Sequence, residues 1–411
     1  MNIYEIETTP DVCKIGTLPP LGEAPEYMYA QVIRQERYGD PINAFAIEKL
    51  KVPEIKDDEV LLAVMAAGLN YNSVWAARGY PINNIQVMNL RKDSDVDYHI
   101  AGSDCSCIVY KVGSKVTNVK VGDEVVVGPG WFDPEDPFIK AGGDPEASVT
   151  ARAWGYETNW GSFAQFCKVK YFQCLPKPKH LSWEDAAAYV LTAATTYRML
   201  YTYHPHTVKK GDVVLIWGGA GGLGTYAIQL TLLAGGIPVA VVNSDEKKAF
   251  CESMGAIAIN RNEFAHWGAL NPDLTDPLKP DIWRNGAKNF MKKIAMLTGG
   301  KLPRIVLEHP GEATFPTSVF VCDREGMVVT CAGTSGYLGS FDLRYLWLQK
   351  KRIQGSHFAS ESECWAMNKL VEEGKLKPVL DETVSFEELP AALQKIHENR
   401  HKGNIAVRIG Y

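Results

Sequence analysis

The chain has 411 residues, 46% hydrophobic and 22% charged, with a formal net charge of −5 from 43 Lys and Arg against 48 Asp and Glu. That length accommodates two or three domains with sizeable cores, and the near-average composition excludes collagen-like, coiled-coil and disordered chains. The charge balance leaves no sequence-wide nucleic-acid footprint, and no run approaches the ~18 apolar residues of a membrane span.

Residues 1–27 are Pro-rich and weakly patterned and read as an N-terminal extension. Glu5, Glu7 and Asp11, with no apolar stretch beside them, do not form a secretory signal. From residue 28 the apolar runs are short and cut by Gly, Asp and Pro, as at 60–65, 106–112 and 124–127, which predicts a β-rich domain. Residues 128–153, rich in Gly, Pro and acids, read as a long surface loop. The nine cysteines are scattered, without a CxxC pair, which points to a reduced, cytoplasmic chain of packing thiols. Cys105 and Cys107 fall on a predicted strand and are expected to face opposite ways, forming no compact pair.

The texture changes near residue 183. One helix is predicted over 183–200 with Ser182 as its N-cap. Apolar strand-like runs follow at 213–217, 239–242, 256–259, 305–308, 327–331 and 353–357, with helical stretches at 225–233, 246–254 and 288–297. Such alternation predicts an α/β, doubly wound parallel sheet. Two amphipathic helices, 361–373 and 387–399, precede a last strand at 405–409 that is expected to rejoin the first domain and make it discontinuous. The expected organisation is an extension (1–27), a β-rich domain (28–190 and 358–411) and a dinucleotide-binding domain (191–357).

The strand at 213–217 runs into Gly218-Gly-Ala-Gly-Gly-Leu-Gly224 and then a helix. Gly219, Gly221 and Gly224 in a strand–turn–helix context form a dinucleotide fingerprint, because glycines let the backbone approach a pyrophosphate. The helix start at Gly222 and Leu223 supplies free N–H groups and the positive dipole end. Ribose recognition is expected roughly 20 residues on, where the sequence reads Asn243-Ser244-Asp245 followed by Lys247. Ser244 and Lys247 suit a 2′-phosphate and favour NADPH; Asp245 would bind a free ribose if the strand ran one residue further.

Several stretches carry a more specific resemblance. They are Asn70-Tyr-Asn-Ser-Val-Trp75, His99-Ile-Ala-Gly-Ser-Asp104, Trp154-Gly-Tyr-Glu-Thr-Asn159, Glu308-His-Pro-Gly311 and Gly355-Ser-His-Phe-Ala359. With these the chain resembles the zinc-free branch of the medium-chain dehydrogenase/reductase superfamily, and within it the crotonyl-CoA carboxylase/reductase family. The resemblance implies a Rossmann domain plus a GroES-like catalytic domain. It also implies NADPH-dependent hydride transfer to Cβ of a 2-enoyl-CoA, CO2 capture at Cα, and assembly as a homo-oligomer, a dimer or tetramer. No metal is expected, since Gly102-Ser103-Asp104 falls where zinc-dependent relatives carry Gly-His-Glu.

Carried over by motif, the CO2 pocket comprises Asn72, the backbone of Tyr156 (Phe in other members), Glu157 and His357, the last placed at a strand end. Asn70 is expected beside the nicotinamide. Tyr80, after Gly79, matches a proton-donating tyrosine of enoyl thioester reductases, which leaves a plain enoyl-CoA reductase open as the alternative. Lys350-Lys351-Arg352 forms a basic cluster from which Arg352 would meet the CoA phosphates. A non-catalytic NADPH-binding protein is a third reading, disfavoured by the intact site set.

Overall fold

Glu59–Leu69 forms an eleven-residue strand in which every residue is buried. Its run of Val, Leu, Ala and Met suits a strand covered on both faces. The computed structural model describes residues 11–92, 95–268, 270 and 282–410. It packs as two compact units, Met1–Ala194 with Phe358–Tyr411, and Thr195–His357.

In the first unit the long strand organises the sheet. Cys105–Val112 pairs antiparallel along one edge. The other edge is shared, with Phe166–Lys170 opposite residues 59–63 and Asn404–Arg408 opposite residues 66–69. The C-terminal strand therefore returns to a strand begun some 340 residues earlier, as expected. A three-stranded sheet, with Tyr27–Arg34 between Phe45–Lys51 and Tyr98–Ile100, belongs to the same β-rich unit.

The described residues before Tyr27 are tied to this unit. Val12 is buried and bridges Tyr27, and the Gly16 N–H donates to the Ile409 carbonyl at 3.0 Å. Residues 1–10 of the expected extension lie outside the described residues. The single helix over 183–200 is two helices, Trp183–Ala187 and Val190–Tyr201. Ser182 does cap the first, accepting from the Asp185 N–H. The second has its own acceptor, the buried Asp104 carboxylate, which takes the Leu191 N–H at 3.3 Å.

The second unit is a six-stranded parallel sheet in the order Ile257–Asn260, Ile237–Val242, Val213–Trp217, Pro303–Glu308, Met327–Thr330, Arg352–Gly355. This is the doubly wound order 3-2-1-4-5-6, whose reversal point lies between the first and fourth strands. A buried network ties those two strands together. Glu308 accepts from the Gly311 N–H (2.9 Å), the Thr314 hydroxyl (2.7 Å) and the Ser318 hydroxyl (2.5 Å). Ser318 in turn accepts from the Trp217 indole N–H at 2.8 Å.

Burial pushes the Glu308 carboxyl up to about 7 from an ordinary 4.5, against the pull of these hydrogen bonds. The native state then holds this proton more tightly than the unfolded chain between those two values. Stability from this group is present below the unfolded value and falls as pH rises through the folded one, by about 3 kcal/mol in all at ~1.4 kcal/mol per pH unit. Glu308→Gln is expected to flatten the fall in unfolding free energy between pH 5 and 7 in urea titrations. An unchanged slope in the variant would assign the dependence to another group.

Candidate active site

The segment His99–Asp104 (residues 99–104) braces the candidate residues of the first unit. Asn70 is the residue preceding the helix Tyr71–Arg78, and Asn72 is its second residue; both are nearly buried. The Asn72 amide nitrogen donates to Ser103 Oγ at 2.8 Å. The Asn70 side chain lies against the next residue's carboxylate, Asp104. Burial drives the Asp104 carboxyl well above the usual range, opposed by the Leu191 N–H, Asn70 and the Val190 N–H. Consecutive residues thus address the two asparagines of one motif.

The same segment seats the loop that carries Tyr156 and Glu157. Gly155 has φ +69°, and a Cβ there would lie 1.9 Å from the Gly102 carbonyl oxygen. Only glycine allows both the conformation and the approach. His99 is buried with no hydrogen-bond partner on either ring nitrogen among the described residues, and burial pushes its imidazole down to about 4, so the ring is neutral. Tyr156 is buried with its ring 6.2 Å from that of Trp75, whose helix carries Asn72.

The N–H of Tyr156, whose backbone the resemblance assigns to the CO2 pocket, donates to the Ala153 carbonyl at 3.1 Å. That oxygen also receives the N–H groups of Glu157 (2.8 Å) and Thr158 (3.4 Å). Three donors on an oxygen with two lone pairs leave this turn weakly satisfied. Glu157 closes the loop by accepting the Ala153 N–H on Oε2 at 2.9 Å. Tyr80 follows the left-handed Gly79 and is 60% exposed.

The cysteine expectation was wrong in its parity. Residues two apart on a strand share a face, and Cys105 and Cys107 lie thiol to thiol at 3.2 Å. With Cys167 they form a fully buried trio whose sulfurs all lie within 4.8 Å of one another. Burial, the leading cause, keeps Cys105 and Cys107 well above the ordinary thiol range, so both are neutral core groups.

In the second unit the glycine turn has the shape of a phosphate cradle. Gly221 is the N-cap of the helix Gly222–Leu233, and the first intrahelical bond at its start runs from Thr225 to Gly221. The N–H groups of Gly222, Leu223 and Gly224 are those that a helix start leaves unpaired. A Cβ on Gly224 would sit 2.4 Å from the Gly218 carbonyl oxygen, and one on Gly219 2.5 Å from the Ala240 Cβ, so the turn closes only with glycine. These features fit a dinucleotide pyrophosphate.

Ser244 caps the helix Asp245–Ser253 by accepting the Lys247 N–H at 3.2 Å, which leaves its hydroxyl hydrogen to donate. The second strand ends at Val242, and Asp245 is held by the Asn260 amide at 2.9 Å. The strand extension that would give Asp245 to a ribose does not occur. The basic cluster also disperses. Lys351 is buried, donating to the Val319 carbonyl at 2.7 Å, and burial pushes its amine down to about 8. Arg352 donates to the His204 carbonyl at 3.2 Å and to the Gln354 side chain. His357 lies two residues past the strand Arg352–Gly355 rather than at its end, and is exposed.

Two family models match the chain: "Alcohol dehydrogenase GroES-like domain" over residues 56–179 and "Zinc-binding dehydrogenase" over residues 222–373. Crotonyl-CoA carboxylase/reductase of Cereibacter sphaeroides is 48% identical over 402 residues, covering 97% of this chain and 91% of that protein. Crotonyl-CoA reductase of Streptomyces collinus is 41% identical, covering 91% and 83%. Among solved structures, crotonyl-CoA carboxylase/reductase AntE in complex with NADP superposes with a TM-score of 0.92 at 50% identity, covering 98% of this chain and 99% of that one. The 2-octenoyl-CoA carboxylase reductase CinF with NADP and 2-octenoyl-CoA gives 0.86 at 38%, covering 94% and 88%.

Gly155→Ala tests the loop seat directly. We expect a loss of about 3 kcal/mol in urea unfolding, from backbone strain plus a displaced carbonyl. A loss below about 1 kcal/mol, no more than the cost of an average point substitution, would mean that the loop does not depend on this approach.

Proposed function

Because the chain belongs to the crotonyl-CoA carboxylase/reductase family, we propose that it reduces a 2-enoyl-CoA with NADPH and captures CO2 on the resulting enolate, giving an alkylmalonyl-CoA. The cofactor supplies a hydride to Cβ, and the electron pair of the double bond passes to Cα and the thioester oxygen. The enolate Cα then forms a bond to the carbon of CO2, whose two oxygens share the new negative charge.

The observation that carries this reading is the Asn72 amide. One of its N–H bonds is taken by Ser103, and the other is available to donate. CO2 is uncharged, so a donor there binds it weakly at first and strengthens as charge develops on its oxygens. Tyr156 contributes the backbone of its turn, and Glu157 holds that turn by accepting the Ala153 N–H. The burial of Asn70, Asn72 and Tyr156 keeps loose water, the competing proton source, away from this part of the site.

Asn70, held by Asp104, positions the nicotinamide. The turn 219–224 binds the pyrophosphate, and Ser244 with Lys247 binds the 2′-phosphate. Arg352 is assigned to the CoA end on its charge alone, since it is half-buried and bonded to His204 and Gln354. The unit spanning residues 195–357 serves as the NADPH-binding domain, and the β-rich unit as the substrate domain.

We also propose a homo-oligomer. In the second unit Leu338, Leu343, Trp347 and Leu348 are exposed within one short segment, a patch typical of a covered surface. All nine cysteines are free, including the three that meet in the core, which supports a reducing, cytoplasmic setting. Among the described residues no helix is long and apolar enough to cross a membrane.

A second reading, protonation of Cα in a plain enoyl-CoA reductase, is favoured by the exposed Tyr80. One experiment separates the two: crotonyl-CoA and NADPH with and without bicarbonate, the acyl-CoA products resolved by mass spectrometry. Ethylmalonyl-CoA is expected to dominate at saturating CO2, in Tyr80→Phe as in the parent. Butyryl-CoA dominating at saturating CO2, and reduction lost in Tyr80→Phe, would replace this reading with the second.

A further inference from the structure

We propose that Ser103 is a positioning residue that sets how the enolate divides between CO2 and a proton, by fixing the orientation of the Asn72 amide. The proposal rests on the reading of Asn72 as the CO2-facing donor and adds to it the group that aims the donor.

The geometry is specific. Ser103 is fully buried, and its Oγ accepts from Asn72 Nδ2 at 2.8 Å. Among the described residues, the one other hydrogen bond of the Asn72 side chain is long, from the Ser73 hydroxyl to Oδ1 at 3.5 Å. Ser103 is therefore the anchor of the amide. With Nδ2 on Ser103, the second N–H of the same nitrogen has a fixed direction in the amide plane. Without the anchor, rotation about the last side-chain bond is broad and nearly two-fold, and the N–H and the carbonyl oxygen can exchange places. An oxygen facing CO2 would repel the charge that forms there.

The anchor itself cannot drift. On one side of Ser103, the Gly102 carbonyl accepts the Ser162 N–H at 2.9 Å. On the other, the Asp104 carbonyl accepts the Gly68 N–H at 2.9 Å and the Ser162 hydroxyl at 3.0 Å. The peptide units on both sides of the serine are held by strand Glu59–Leu69 and by the segment around Ser162. Such support suits a residue that must hold another within a narrow angular range.

Protonation of the enolate does not use the Asn72 donor, so losing its orientation slows one branch and spares the other. A single neutral hydrogen bond corresponds to a change of roughly five- to tenfold. The readout is the ratio of carboxylated to simply reduced product at a fixed CO2 concentration below saturation, in which any general loss of rate cancels. Four proteins are compared: parent, Ser103→Ala, Asn72→Ala and the double variant.

We expect Ser103→Ala to lower the ratio about tenfold, Asn72→Ala to lower it at least as far, and the double variant to match Asn72→Ala, since Ser103 acts only through Asn72. A parental ratio in Ser103→Ala beside a collapsed ratio in Asn72→Ala overturns the role of Ser103 and leaves that of Asn72 standing. A double variant with the two losses multiplied also overturns it, because Ser103 would then act by another route. A parental ratio in Asn72→Ala removes the underlying reading of Asn72, and the proposal with it.

Discussion

The hydrogen bond from the Asn72 amide to Ser103 Oγ joins the helix Tyr71–Arg78, which follows the strand Glu59–Leu69, to the segment 99–104. The rest of the candidate site in the first unit is arranged around that segment. Its first residue, His99, packs against the Gly155 backbone, and its Gly102 carbonyl receives the approach of Gly155 itself. Its last residue, Asp104, faces Asn70 and the start of the helix Val190–Tyr201. Six residues therefore set the positions of two asparagines, a loop and a helix end. A shift of this segment would move every one of them together.

This arrangement suits a reaction decided by competition. The hydride step needs a cofactor and an activated alkene, and many reductases manage it. Choosing CO2 over a proton is harder, because CO2 offers no charge to bind before the bond forms. What the protein can supply is a donor already aimed at the place where charge appears, in a site that admits little water. An amide anchored on a hydroxyl gives that at little cost in reorganisation. The resemblance places Ser103 where zinc-dependent relatives carry a histidine, and here its hydroxyl oxygen accepts from an amide.

Much of this was legible in the sequence, for definable reasons. The six parallel strands announced themselves as buried apolar runs between helical stretches, and the glycine turn as a fingerprint in its strand–turn–helix context. The C-terminal strand was found because it lay beyond the last αβ unit. What failed was local. The break between Ala187 and Val190 depends on Asp104, far away in sequence, which no helical pattern reveals. The basic run 350–352 looked like one patch, yet the Lys351 amine is buried against main-chain carbonyls. The cysteine pair was misread by an error of strand parity rather than for want of information. Ser103 and Asp104 stand in a motif the sequence shows, but which side chains they touch is a tertiary fact.

The central claim is that Ser103 accepts from the Asn72 amide and so aims its second N–H. Hydrogen positions decide this, and neutron diffraction from a deuterium-exchanged crystal locates them. The account predicts two deuterons on the Asn72 nitrogen nearest Ser103, one directed at Oγ and the other turned away from it. A reversed amide, with the Ser103 hydroxyl donating its deuteron to the Asn72 oxygen, would contradict it.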